Sequence, residues 1–236
     1  MFKDILRLGK ETLVYGTSTV VARLLNFCLV PFYTYYLATS DYGVVATLFA
    51  FIALLSVVFL FGMDQSYLRF ASEAKDKREV FQHCFYGLLC YGALLGALIY
   101  LFARPLAELA GIGAENAHLM HLAVFILFLD MLNMIPFTKL RLQRRAWYFA
   151  GVRTASIVVN VAGNVLFIAV FHLGVASIFW ANILGSLASL LLLSPVVWEE
   201  LKGGFCRFSP TLEKHMLRFA WPFVPAGLAS LAVTVA

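Results

Sequence analysis

Six stretches of about twenty consecutive apolar residues follow one another along this chain, each closed by a polar or basic segment. They are residues 12–37, 42–63, 80–102, 119–138, 151–171 and 175–198, and a seventh run begins at 218. A helix of about 20 apolar residues crosses the hydrocarbon core of a bilayer, and helices and closed barrels are the structures that satisfy every backbone amide there. Of 236 residues, 62% are hydrophobic and 13% charged, against about 45–50% and 25% in soluble domains. No water-soluble core could enclose that much apolar surface. The pattern specifies an all-α integral membrane protein whose helices are paired by short joins, such as residues 172–174, into antiparallel hairpins.

Charge placement sets the orientation, because loops on the cytoplasmic side carry the excess of Lys and Arg. Lys3, Arg7 and Lys10 precede the first run; Arg69, Lys75, Lys77 and Arg78 lie between the second and third. Lys139, Arg141, Arg144, Arg145 and Arg153 lie between the fourth run and the mouth of the fifth, and Lys202, Arg207, Lys214 and Arg218 follow the sixth. Sixteen of the eighteen basic residues therefore share one side, whereas the opposite loops hold Arg104 alone. An N-terminus on the cytoplasmic face of a plasma or inner membrane is expected. The same distribution argues against a nucleic-acid partner despite the net charge of +5, since the cations are spread among loops and not on one soluble face. The start lacks a signal-peptide cleavage pattern, so a retained first helix is expected.

Four cysteines, Cys28, Cys84, Cys90 and Cys206, have no CxxC spacing, and neither a metal site nor a disulfide framework is expected. Glu115, His118 and His121 share a spacing that admits a metal, but wet interfacial side chains explain it as well. GxSxG, P-loop and HExxH patterns are absent from the sequence, which leaves hydrolase, ATPase and zinc-protease chemistry without support.

The polar residues inside the apolar runs carry the functional information. Arg23 lies near the middle of the first run, where a charge costs about 2.5–3.5 kcal/mol on insertion scales. It either lines a polar cavity and grips a phosphate with its donor fork or forms a buried structural pair. Asn26, three residues on, shares its face, and Pro31 interrupts the helical bonds as a kink or a hinge. In the fourth run Asp130 and Asn133 share a face near mid-depth, with Pro136 beyond them. Asp130 either pairs with Arg23, lines a cavity, or binds H+ or Na+ to couple transport. Asn160 and Asn164 stand at i, i+4 in the fifth run, and Asn182, Ser186 and Ser189 in the sixth; such groups line cavities or bond helix to helix. Gly92 and Gly96 form a GxxxG read as internal packing.

With these residues in view, the chain resembles the Wzx-type polysaccharide flippases of the MOP superfamily, to which the MATE exporters and the lipid II flippase MurJ also belong. The resemblance rests on RLLNFCLVPFYTYYLATSDYGVVATL at 23–48, GMDQSYLRFASEAKDKREVF at 62–81 and LRFAWPFVPAGL at 217–228. It implies two six-helix lobes around a central cationic cavity, with the first and seventh helices as bent gates. Residues 1–211 would then form the N-terminal lobe, and residues 212–236 the start of a second lobe that looks severed. By the same resemblance Arg23 would meet the diphosphate of a polyprenyl-linked oligosaccharide, and Asn26, Asp130, Asn133, Asn160 and Asn164 are the further candidates for substrate contact. Asp64, Gln65 and Arg69, in the first long cytoplasmic loop, would help to close that side. The implied activity is alternating-access transport without bond cleavage, alongside membrane lipid and other polysaccharide-assembly proteins. The competing readings are a MATE-type cation-coupled drug antiporter, a transport-inactive scaffold and a cell-wall ligase.

Overall fold

The computed structural model describes residues 31–36, 38–202, 204 and 209–235, with isolated positions 16, 20, 24 and 29 before them. Arg23, Asn26, Cys28 and Cys206 lie outside the described residues. The helices are α1 (31–36), α2 (Thr39–Leu60), α3 (Met63–Glu73), α4 (Lys77–Leu101), α5 (Ala103–Leu109), α6 (Ala117–Leu142), α7 (Ala146–Val165), α8 (Ala176–Leu201), α9 (Pro210–Ala220) and α10 (Phe223–Val235). Five helical segments among the described residues are long and apolar enough to cross a membrane.

α6 is the hub. It packs on α2, α3, α4, α5, α7 and α8, and 67% of its most apolar stretch is buried, against 17% of that in the α2–α3 segment. Met131 and Ile135 of α6 belong to one core with Phe59 of α2, Phe81 of α4 and Phe179 of α8, and Phe137 and Leu140 to a second with Val152 of α7 and Leu193 of α8. Gly92 and Gly96 allow the close approach of α4: a Cβ at Gly92 would lie 2.4 Å from the Met131 side chain, and one at Gly96 would lie 3.4 Å from Val124.

Helix ends follow local chemistry more than hydropathy. α4 begins at Lys77, before the apolar run, because the Asp76 carboxylate caps the amides of Arg78 and Glu79. Ser209 caps the amide of Leu212, and Pro210 occupies the first turn of α9, where a missing N–H costs nothing. The segment 64–79, read from sequence as a cytoplasmic loop, is mostly helix. Met63, Ser66, Tyr67 and Ala71 of α3 recur at helical spacing and are buried, while α3 packs on α4, α6 and α9. Short length and low mean hydropathy hid this amphipathic helix from a search for spans.

α2 and α3 meet at a kink where both Phe61 and Gly62 have positive φ, 49° and 69°. At Gly62 a Cβ would lie 2.7 Å from the Ala220 carbonyl oxygen and 2.8 Å from Phe223 Cβ. The chain entering α10 therefore rests on a glycine at the end of α2. Gly62→Ala should cost about 1–3 kcal/mol through strain at left-handed φ, read as a lower thermal unfolding midpoint in detergent. Gly43→Ala has open space around its Cβ and should not lower the midpoint.

Candidate functional site

A cavity of about 350 Å³ lies between α2, α6, α7 and α8. Its polar lining comes from Asp130 and Asn133 of α6, Arg153 and Asn160 of α7, and Asn182 and Ser186 of α8, with hydroxyls of Ser56, Ser156 and Ser189 around them. Apolar walls are supplied by Phe59, Leu127 and Phe137. Because helical side chains three and four apart share a face, Asp130 with Asn133, Arg153 with Ser156 and Asn160, and Asn182 with Ser186 and Ser189 form three polar stripes. The cavity is where these stripes meet.

The hydrogen bonds divide the lining into fixed and free groups. Ser186 Oγ donates to Asp130 Oδ1 at 2.5 Å, and Asn133 Nδ2 donates to the Ser186 carbonyl at 2.9 Å. One residue of α8 is thus held at both ends by two residues of α6. Asn182 donates to the carbonyl of Ile178 in its own helix at 2.8 Å. Asn133 Oδ1, by contrast, is buried and accepts no hydrogen bond among the described residues, and leaving such a group unpaired costs about 1–3 kcal/mol. The Arg153 guanidinium sits over the Phe137 ring, 5.4 Å from its centroid, within the roughly 6 Å reach of a cation–π contact. No ion pair joins it to Asp130 among the described residues. Among the described residues, the cavity therefore sets the Arg153 guanidinium and the Asp130 carboxyl group against the same space without an ion pair between them.

The sequence-derived candidates separate on this geometry. Asp130, Asn133 and Asn160 line the cavity. Asn164 does not: it is fully buried, donates to the Asn160 carbonyl at 2.9 Å and accepts from Tyr33 Oη at 2.9 Å. It ties α1 to α7. Pro31 is an exposed residue of α1 whose carbonyl accepts from Thr34. Asp64 and Gln65 bond to each other at the start of α3, and the Arg69 guanidinium lies 5.0 Å from the Phe219 ring of α9. Arg69 thus reaches the α3–α9 junction, and none of the three is among the residues that line the cavity. By charge placement alone Arg153 counts as a topology charge; its i, i+3, i+7 relation to Ser156 and Asn160 is the signal that points into the cavity.

The helices long enough to cross a bilayer and the polar cavity between them describe a multi-pass, all-α membrane domain. Residues 8–235 match the family model of the polysaccharide biosynthesis proteins, and the chain belongs to that family. Among solved structures it is similar to an outward-facing multidrug resistance MATE family transporter of the MOP superfamily, with a TM-score of 0.76 and 17% identity over 98% of this chain and 54% of that one. It is similar too to a MOP superfamily transporter from Pyrococcus furiosus, at 0.75 and 17% over 98% and 54%. A MATE in complex with MaD3S gives 0.75 and 18% over 98% and 55%. At these identities the likeness shows the fold. The chain spans about half the length of the solved structures it matches. No curated protein matches it by sequence.

Proposed function

We propose that this chain forms the N-terminal lobe of a flippase that carries a polyprenyl-diphosphate-linked oligosaccharide across the cytoplasmic membrane by alternating access. Its N-terminus would face the cytoplasm, as the basic loops favour. Membership of the polysaccharide biosynthesis family supports the cargo class. The observation that carries the reading further is the polar lining of the cavity, which among the described residues consists of neutral amides and hydroxyls with one guanidinium and one carboxyl group. Amides and hydroxyls both donate and accept, which suits a ligand made of hydroxyl groups. An arginine fork pairs with phosphate through two parallel bonds. The proposal assigns substrate contact to Asn133, Arg153 and Asn160, and to Arg23 and Asn26 of the first apolar run. It requires no bond to be broken, so it includes no catalytic residue.

A second reading, a cation-coupled drug antiporter, is favoured by Asp130, the one carboxyl group among the described residues that line the cavity, and by the MATE-type fold. Reconstitution of the whole protein into liposomes separates the two. A fluorescent polyprenyl-diphosphate oligosaccharide should become accessible across the bilayer at a rate at least about tenfold above protein-free liposomes, while ethidium stays where it was placed. Ethidium movement driven by a proton or sodium gradient, without movement of the glycolipid, establishes the antiporter instead.

A further inference from the structure

Away from the polar cavity, α4 and α6 leave a second concavity that the transport reading does not use. Gly92, Gly96 and Ala97 of α4 face Val124, Phe125 and Phe128 of α6 across an apolar groove of about 450 Å³. Tyr100 and Leu101 end this groove and also belong to an adjoining pocket of about 740 Å³. That pocket is lined by Arg104 and Glu108 of α5, Glu115, and His118 and His121 of α6. The Tyr100 ring stacks on His121 at 4.1 Å and forms the lip between the two compartments. From Gly92 to Leu101 the helix rises about 14 Å, close to half of the roughly 30 Å hydrocarbon core. The groove is as deep as one leaflet, and its polar mouth stands at that leaflet's interface.

We propose that this is a binding site for one phospholipid bearing a primary ammonium beside its phosphate, with an acyl chain in the groove and the headgroup among Arg104, Glu108 and Glu115. The charge set selects this occupant. Arg104 is the only Lys or Arg in the loops on that side of the chain, and no ion pair engages it, Glu108 or Glu115 among the described residues. A phosphate answers the guanidinium, and an ammonium on the same headgroup answers a carboxylate with three N–H donors. A headgroup carrying only the phosphate charge brings a third anion to two carboxylates. A trimethylated amine has no N–H to donate. The imidazoles of His118 and His121 supply further hydrogen bonds at the mouth.

The test is native mass spectrometry of the whole protein in detergent, delipidated and then offered phosphatidylethanolamine, phosphatidylglycerol and phosphatidylcholine in equal amounts. One phosphatidylethanolamine should be retained with at least about a fivefold preference over either competitor. Ala97→Phe, which fills the groove from an exposed position, should lower retention of all three lipids about tenfold. Glu108→Gln combined with Glu115→Gln should shift the preference toward phosphatidylglycerol; this is a ratio within one preparation and does not depend on folding yield. Equal retention of the three lipids, an unchanged ratio in the glutamine double variant, or full retention by Ala97→Phe at an unchanged unfolding midpoint overturns the proposal. So does displacement of phosphatidylethanolamine by equimolar polyprenyl phosphate, which assigns the groove to the cargo's tail. None of these outcomes depends on whether the protein flips a glycolipid.

Discussion

Lys139→Ala is expected to lower the thermal unfolding midpoint of the detergent-solubilised protein by about 6–12 °C, at about 2–4 °C per kcal/mol for a chain of this size. Lys139 is 3% exposed near the end of α6, and its ammonium lies 2.5 Å from a Glu200 carboxylate oxygen and 3.6 Å from Glu199. It also faces the Phe81 ring at 5.5 Å and the Val196 carbonyl at 3.4 Å. Removing one partner of a buried pair costs about 3–5 kcal/mol because the other charge is left without its counterion. Glu200 keeps some solvent access and Glu199 is half exposed, so the lower end of that range, about 3 kcal/mol, applies.

The same helix end is held by neighbours that do not depend on Lys139. Arg78 donates to the carbonyls of Glu200 at 2.7 Å and Gly204 at 3.0 Å, and Gln82 donates to the same two at 2.7 and 3.0 Å. These bonds satisfy carbonyls that the end of α8 leaves without helical partners. The double change Lys139→Met with Glu200→Gln removes both charges and keeps the volume, so it should recover most of the loss, to within about 1 kcal/mol of the unchanged protein. A midpoint for Lys139→Ala within about 2 °C of the unchanged protein, less than 1 kcal/mol on this scale, rules out the ion pair as what holds α6 to α8.

Why Lys139 escaped a reading of the sequence is instructive. The positive-inside rule treats every loop cation as a solvated topology marker, and Lys139 was counted among them. Nothing within 139–145 distinguishes the one lysine that turns inward; its partners arrive sixty residues later, at the end of a helix that runs parallel to α6 from the same side. Arg153 was assigned the same role for the same reason. The spans within the described residues were legible because a bilayer demands about twenty apolar residues whatever the tertiary packing, and α6 and α8 follow their runs except at their charged ends, basic in α6 and acidic in α8. Their extensions, to Leu142 and Leu201, are built by side chains that hydropathy scores as polar. α3 was missed because three turns with a narrow apolar stripe do not register as a span. Within the polar stripes, spacing put Asp130 with Asn133 and Asn160 with Asn164, but spacing is silent on rotation. Asn160 faces the cavity while Asn164 turns to Tyr33.

The two cavity charges should move transport in opposite senses if the proposed cargo is right. Arg153→Ala removes the guanidinium that the proposal sets against the diphosphate; hydrogen bonds to charged groups contribute about 1.5–3 kcal/mol, which at about 1.4 kcal/mol per tenfold weakens apparent affinity for the glycolipid by at least about tenfold. Arg153→Lys keeps the charge but loses the two-pronged fit, so it should recover only part of that affinity. Asp130→Asn does the reverse. An asparagine oxygen still accepts the Ser186 hydroxyl, so the contact between α6 and α8 survives and the unfolding midpoint should hold. The cavity then carries an uncompensated guanidinium, binds a diphosphate more tightly and releases it more slowly: apparent KM and turnover should fall together. Both variants are measured in the whole protein reconstituted with a fluorescent polyprenyl-diphosphate oligosaccharide. Should Arg153→Ala and Asp130→Asn shift KM in the same direction, the cavity does not balance a phosphate charge, and the anionic cargo has to be sought elsewhere in the protein.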